Sequence, residues 1–291
     1  MSLLSRRRFL QTAGVVTVGA AAVAADATLI EPVRPVLDRV DIPLRRLSPA
    51  FDGFTIAQLS DFHYDEIFSA VPIRHAVETV NLLEPDLIVL TGDYVTAPLL
   101  HDSPSRRINA ANAAEPCATL LRQLRARMGL RAILGNHDYD SDGHRVMECL
   151  QGQGIPVLVD RSVALELGGA RLWLAGVDDN PDDGDITLTL KTVPQDEPVI
   201  ALVHEPDAAD LVARHPVDLQ LSGHSHGGQV RFPLIGPAYL PPLGKKYPWG
   251  LRKVGSLTLY TNVGLGTMGA PVRLNCPPEV TLFTLRASEA S

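Results

Sequence analysis

Apolar runs recur along the chain, and each closes on a turn carrying aspartate or histidine. FTIAQLSD (54–61), DLIVLTGD (86–93) and RAILGNHD (131–138) are nearly continuous apolar runs, the pattern of strands buried on both faces. Between them the period changes. IRHAVETVNLLEP (73–85), EPCATLLRQLRARMG (115–129) and DGHRVMECLQGQG (142–154) have helical spacing, the first stopped by Pro85 and the second ended by Gly129. Strand and helix in alternation predict βα units over a largely parallel sheet. The second half is richer in strands: VALELGG (163–169), ARLWLAGVDD (170–179), PVIALVHEP (198–206), VDLQLSGHSH (217–226), SLTLYTNVG (256–264) and EVTLFTLR (279–286). A short helix, DAADLVARH (207–215), fits between two of them. Two mixed sheets packed face to face with helices outside bury all these runs. The expected fold is therefore α/β, a four-layer αββα sandwich, forming one domain over residues 51–291. Residues 28–50, with prolines and alternating charge, read as a linker or edge segment leading in.

Composition narrows the class. A chain of 291 residues with 45% hydrophobic content suffices for one large core or two modest ones. A net charge of −7 argues against a nucleic-acid partner held through phosphate contacts. Cys117, Cys149 and Cys276 form no CxxC pair and no disulfide framework, and read as small apolar packing residues.

The N-terminus reads as an address. Residues 1–27 combine a basic start, an apolar stretch of about 14 residues and small residues suited to cleavage after Ala24 or Ala27, the features of a secretory signal. Ser5 to Leu10, SRRRFL, resembles the twin-arginine export signal. The resemblance implies the twin-arginine translocation machinery as a partner and an envelope, periplasmic or extracellular location. It also implies export of a folded protein with its metal already inserted.

Placed on this scheme, the polar residues converge. Asp61 and His63 follow the first strand, Asp93 the second, Asn136 and His137 the third; His204 ends a later strand, and His224 and His226 end the next. All lie at predicted C-terminal strand ends, where open α/β sheets place their sites. One such aspartate is usually a turn residue or a helix cap; five strand ends sharing the pattern point to a metal. Mixed Asp, His and Asn donors suit Mn, Fe or Zn. The set exceeds what one ion takes, and two divalent ions sharing a carboxylate account for it.

In order, DFH, GDY, GNHD, VHEP and GHSHGG resemble the signature of calcineurin-like metallophosphoesterases. GGQVRFPLIGP, LGKKYPWGL and GLGTMGAPVRLNCPPEVTLFTL resemble its exported YkuE/YaeI-like branch. The resemblance assigns Asp61, His63, Asp93 and His226 to one ion. Asn136, His204 and His224, with Asp93 bridging, go to the other. It makes His137 the catalytic acid, with Asp138 or another carboxylate orienting it. It implies hydrolysis of a phosphodiester or pyrophosphate by a hydroxide held between the ions, on a phosphoester substrate such as an envelope lipid or wall polymer. Two departures stand out. Thr96 occupies the last position of a GDxxD pattern, leaving that carboxylate's role unfilled, and Val263 replaces an arginine before GLG. The segment 232–255, with Tyr239, Lys245, Lys246, Tyr247, Trp249 and Arg252, either covers the site, lies against membrane or wall, or packs as an irregular loop. Two other readings stay open at this point, a broad phosphomonoesterase and a non-catalytic metal-containing envelope-binding protein.

Overall fold

In the computed structural model, which describes residues 6–98, 103–178 and 185–288, the apolar runs are strands of two sheets. The first half supplies β1 (Val36–Leu44), β2 (Thr55–Leu59), β3 (Leu87–Thr91) and β4 (Leu130–Ile133). Next come β5 (Arg161–Leu167), β6 (Ala170–Gly176), β7 (Val199–Leu202) and β8 (Leu219–Ser222). A small hairpin, β9 (Arg231–Phe232) and β10 (Gly236–Pro237), precedes β11 (Gly250–Val254), β12 (Leu257–Thr261) and β13 (Glu279–Ala287). The first sheet runs β1-β13-β2-β3-β4, the second β11-β12-β8-β7-β6-β5. In the first, β13 is antiparallel to β2, while β2, β3 and β4 are parallel. In the second, β12, β8, β7 and β6 are parallel and each edge strand is antiparallel to its neighbour.

Residue alternation explains why the central runs are apolar throughout. In β3, Leu87 and Val89 face the other sheet, packing with Ile56, Ile133, Leu202 and Leu221. Ile88 and Leu90 face outward onto α2 (Ala70–Leu83), α4 (Ala114–Leu121) and α5 (Asn136–Gly152), meeting Ile73, Leu121 and Val146. On the far side, Ile186 of α6 (Ile186–Thr189) and Val212 of α7 (Ala209–Val212) cover Val199, Ala201 and Leu259. Helix, sheet, sheet and helix make four layers, the expected αββα arrangement. Each fully buried Leu, Ile or Val contributes ~1.5–3 kcal/mol relative to exposure. Two further helices, α1 (Arg6–Ala25) and α3 (Pro104–Ala111), lie outside this scheme.

Two expectations need correction. The helix expected over 115–129 ends at Leu121, because Arg127 N and Met128 N donate to Pro85 O and Asp86 O and hold that stretch along the start of β3. Gly129, at φ +76°, instead turns the chain into β4. The packed body also starts before residue 51: β1, within the segment read as linker or edge, pairs with β13 over Val36–Leu44. At the far N-terminus, Ser5 of the SRRRFL motif falls outside the described residues, while Arg6 onward is helical. Five parallel strands, β2, β3, β4, β7 and β8, end on the same side, and their following turns carry the chemistry.

Candidate metal centre

Sharp turns deliver the donors. Asp61, His63, Asp93, His224 and His226 all have positive φ, between 39° and 67°. This left-handed region costs a side-chain-bearing residue of order 1–3 kcal/mol, and such strain concentrates at functional sites. Neighbouring glycines make room. A Cβ at Gly135 would lie 2.4 Å from Asp93 Oδ1, and one at Gly223 would lie 2.3 Å from Asp61 Oδ2. The glycines of GNHD and GHSH are therefore required by close approach.

All seven expected ligands meet at one end of the two sheets. Asp61, His63 and His226 form one group and Asp93, His204 and His224 another, with donor atoms within 4.8 Å of one another in each. His226 Nε2 lies 3.5 Å from Asp61 Oδ1 and 3.0 Å from His63 Nε2. Asp93 Oδ2 stands between the groups, 3.5 Å from His63 Nε2 and 3.2 Å from His204 Nε2. Asn136, the first residue of α5, brings Oδ1 to 2.8 Å from His224 Nδ1. The His204 and His224 rings lie 5.1 Å apart.

The outer nitrogens reveal what the inner ones carry. His204 Nδ1 lies 2.6 Å from Thr91 O and His224 Nε2 lies 2.7 Å from Pro242 O. A carbonyl only accepts, so both nitrogens carry protons, and in the neutral rings His204 Nε2 and His224 Nδ1 point lone pairs inward. In the His224 ring, held neutral by burial, a lone pair then faces the acceptor Asn136 Oδ1, and a neutral His204 would set another against Asp93 Oδ2. Cations relieve such contacts, so these residues fit a divalent metal. His63 Nδ1 lies 3.0 Å from Thr96 Oγ1, so a hydroxyl stands at the position where the sequence pattern expects a carboxylate. His226 Nδ1 is buried with no hydrogen-bond partner among the described residues.

Burial sets the protonation of the ion-free site. It pushes the Asp61 carboxyl up to about 7 and lowers His63 to about 3 and His224 to about 4. Burial also raises Asp93, but the surrounding imidazoles of His204 and His137 prevail and hold it well below the usual carboxylate range. His63, His224 and His226 are thus neutral, as metal ligation requires.

His137 sits at the mouth. It lies with His63 and Asp93 in a third group, so proximity alone admits it as a ligand. However, Ala97 N donates to its Nδ1 at 3.1 Å, which places the proton of the neutral ring on Nε2. A protonated Nε2 does not ligate but can donate a hydrogen bond to a negatively charged oxygen. The expected role of Asp138 in orienting this ring is not what the structure shows. The Asp138 carboxylate is buried and accepts from the backbone amides of Asp93, Tyr94, Val95 and Gly135, clamping two turns together.

Sequence reasoning missed the carbonyls of Thr91 and Pro242 and the amide of Ala97, because main-chain groups leave no residue signal. It also missed Arg273, which is fully buried and donates to the carbonyls of Val263, Gly264 and Gly266. Gly266 N in turn donates to Asp61 O. Arg273 therefore braces the loop where Val263 replaces the expected arginine, from outside the cleft. A cleft of about 370 Å³ opens over Asn136, His137, His224 and His226, and is walled by Val230, Tyr239, Pro241, Pro242 and Met268, with Glu205 its one carboxylate.

Residues 54–228 match the family model of calcineurin-like phosphoesterases. An uncharacterized metallophosphoesterase of Bacillus subtilis, YkuE, is 36% identical over 99% of this chain and 100% of its own length. Phosphodiesterase YaeI of Escherichia coli is 32% identical over 97% of this chain and all of its own. A transmembrane protein with metallophosphoesterase domain from Bos taurus is 33% identical over 87% of this chain, which spans 58% of that protein. With the family's motifs set on the strand ends of an αββα sandwich, the chain belongs to the calcineurin-like metallophosphoesterases and is a metal-dependent phosphoric ester hydrolase.

Proposed function

We propose that the protein is an exported phosphodiesterase, hydrolysing phosphodiester or pyrophosphate bonds of an envelope lipid or wall-related substrate with two divalent ions. The observation that carries the reading is Asp93, whose Oδ2 stands within 3.5 Å of His63 Nε2 in one donor group and of His204 Nε2 in the other. Asp61, His63 and His226 would hold one ion and Asn136, His204 and His224 the second, Asp93 serving both; Mn, Fe and Zn suit these donors. Divalent ions there neutralise phosphate charge and ease deprotonation of water.

The chain's own residues do the rest. His137 Nε2–H donates a hydrogen bond to the leaving oxygen and stabilises the charge it gains as its bond to phosphorus breaks, and Ala97 N keeps the ring in the tautomer able to do so. His204 and His224 are oriented by the Thr91 and Pro242 carbonyls. Val230, Tyr239 and Met268 offer apolar surface beside the reacting phosphate, suiting an ester with an apolar part. The name of the Escherichia coli relative supports the diester preference.

The test is a metal-supplemented assay against phosphomonoesters, phosphodiesters and envelope lipids. Metal-dependent turnover favouring diesters is expected; a preference for monoesters, or turnover unaffected by chelation, overturns the reading. For the export step, replacing Arg6 and Arg7 by Lys retains the protein in the cytoplasm, and normal export of that variant rules out the twin-arginine route.

A further inference from the structure

The hairpin β9–β10 carries apolar side chains that no internal packing uses. Leu234 is wholly exposed, Ile235 is 83% exposed, and Phe232 beside them is exposed too. Leu234 also sits at φ +66°, a conformation that glycine or asparagine adopts at lower cost. Neither backbone preference nor the core accounts for leucine there. Contact with something outside the chain does.

The base of the hairpin is rigid and tied to two other features. Arg231 Nε donates to Gly227 O at 2.7 Å, and its guanidinium lies over the Trp249 ring at 4.1 Å. Val230 and Ala238, joined by an Ala238 N to Val230 O bond of 2.8 Å, flank the hairpin and also line the cleft. On the other side, Asn275 Nδ2 donates to Arg231 O while Asn275 N donates to the Glu31 carboxylate. Arg273 N donates to Ala27 O. The N-terminal stretch Leu10–Val33 therefore leaves the body one strand away from the hairpin. That stretch is 24 residues, largely exposed before Ala27, and long and apolar enough to cross a membrane. Two apolar elements distant in sequence are thus tied to the same segment, Arg273 to Cys276, and the base of one of them, the hairpin, lines the cleft.

We propose that the Arg231–Pro237 hairpin is a membrane-docking finger. Leu234 and Ile235 enter the interfacial layer of a lipid bilayer, on the side where the N-terminal helix, retained rather than cleaved, would tether the protein. Docking brings the cleft mouth to the level of lipid headgroups. The lipid substrate rests on the phosphodiesterase reading above; the contact itself does not. Moving one such side chain from water into lipid strengthens binding by roughly 10-fold or more. Two residues alone bind weakly, but a tether makes the second contact intramolecular and sufficient.

The test uses the full chain reconstituted in phosphatidylcholine–phosphatidylglycerol vesicles. In Leu234→Trp, emission above that of the parent is expected to shift to the blue and be quenched by brominated lipids. Leu188→Trp, on α6 at the opposite edge of the second sheet, stays unquenched. Water-like emission from both positions overturns the proposal. A shift at position 234 that follows protein concentration in lipid-free detergent overturns it in favour of self-association. In Leu234→Ser/Ile235→Ser, turnover of a vesicle-borne lipid phosphodiester falls about 10–100-fold while that of a soluble aryl phosphodiester changes less than about twofold. Equal loss on both substrates marks the hairpin as structural and overturns docking. If the parent turns over no lipid phosphodiester, the substrate reading fails and the quenching result alone decides the finger.

Discussion

In the His204 and His224 half of the centre, the outer imidazole nitrogens give their protons to main-chain carbonyls, Thr91 O and Pro242 O. In the His63 and His226 half, one outer nitrogen meets the Thr96 hydroxyl and the other is buried without a partner among the described residues. A carbonyl can only accept, so it sets both ring orientation and tautomer. A hydroxyl gives or takes, and leaves the tautomer free. The first half is therefore organised before any ion arrives, whereas the second acquires order on binding. Preorganisation, rather than the number of ligands, then separates the two affinities.

The largest expected effect comes from the residue both halves share. Asp93→Ala loses metal and turnover together, both to background, in metal analysis and aryl phosphodiester assays; retention of either ion undoes the sharing. His137→Ala acts differently. Its metal content stays near normal while turnover drops about 10²–10⁴-fold, and less for a nitrophenolate leaving group that needs little help in bearing its charge. Loss of metal in that variant would make His137 a ligand after all.

Smaller effects address the asymmetry directly. Thr96→Val weakens the ion at the His63 half by about 10–100-fold, read by chelator competition, and leaves the other ion nearly unaffected. Thr96→Asp tightens the same ion by supplying a firm acceptor for His63 Nδ1. Equal weakening of both ions by Thr96→Val removes the comparison. The mildest test is pH. In the ion-free protein burial holds Asp61 protonated until about pH 7, so metal binding there must expel a proton. Affinity falls as pH drops below about 7, and calorimetry records more proton release at pH 6 than at pH 8. For folding of the ion-free chain the sign is opposite. A raised carboxyl pKa contributes stability at low pH that is lost as pH rises through about 7.

What could be read from residues alone follows a physical divide. Leu87–Thr91 announces a strand buried on both faces because each of its side chains must find apolar company. Asp61, His63, Asp93, His204, His224 and His226 announce a site because carboxylate and imidazole at successive strand ends have few other reasons to recur. What stayed hidden rests on the backbone. The Thr91 and Pro242 carbonyls and the Ala97 amide exist in every residue type, and only folding aims them. Asp138 was misjudged for a related reason. Adjacency to His137 suggested a partner, yet the turn at the start of α5 points its carboxylate at four amides instead. The expected end of α4 failed because apolar spacing continued through Leu124, while the main chain was needed beside β3.

The position of β13 has a consequence for biosynthesis. The last strand among the described residues lies second in the first sheet, between β1 and β2, and pairs with both. Until Glu279–Ala287 has left the ribosome, β1 lacks its neighbour and β2 exposes an unpaired edge, a template for aggregation. The sheet carrying Asp61, Asp93 and Asn136 therefore closes only after Glu279–Ala287 has been made. A nonsense mutation upstream of Glu279 yields a chain that never closes it. For a protein proposed to cross the membrane folded, completion of β13 becomes a checkpoint, and chains cut short of it meet proteases before they meet the exporter.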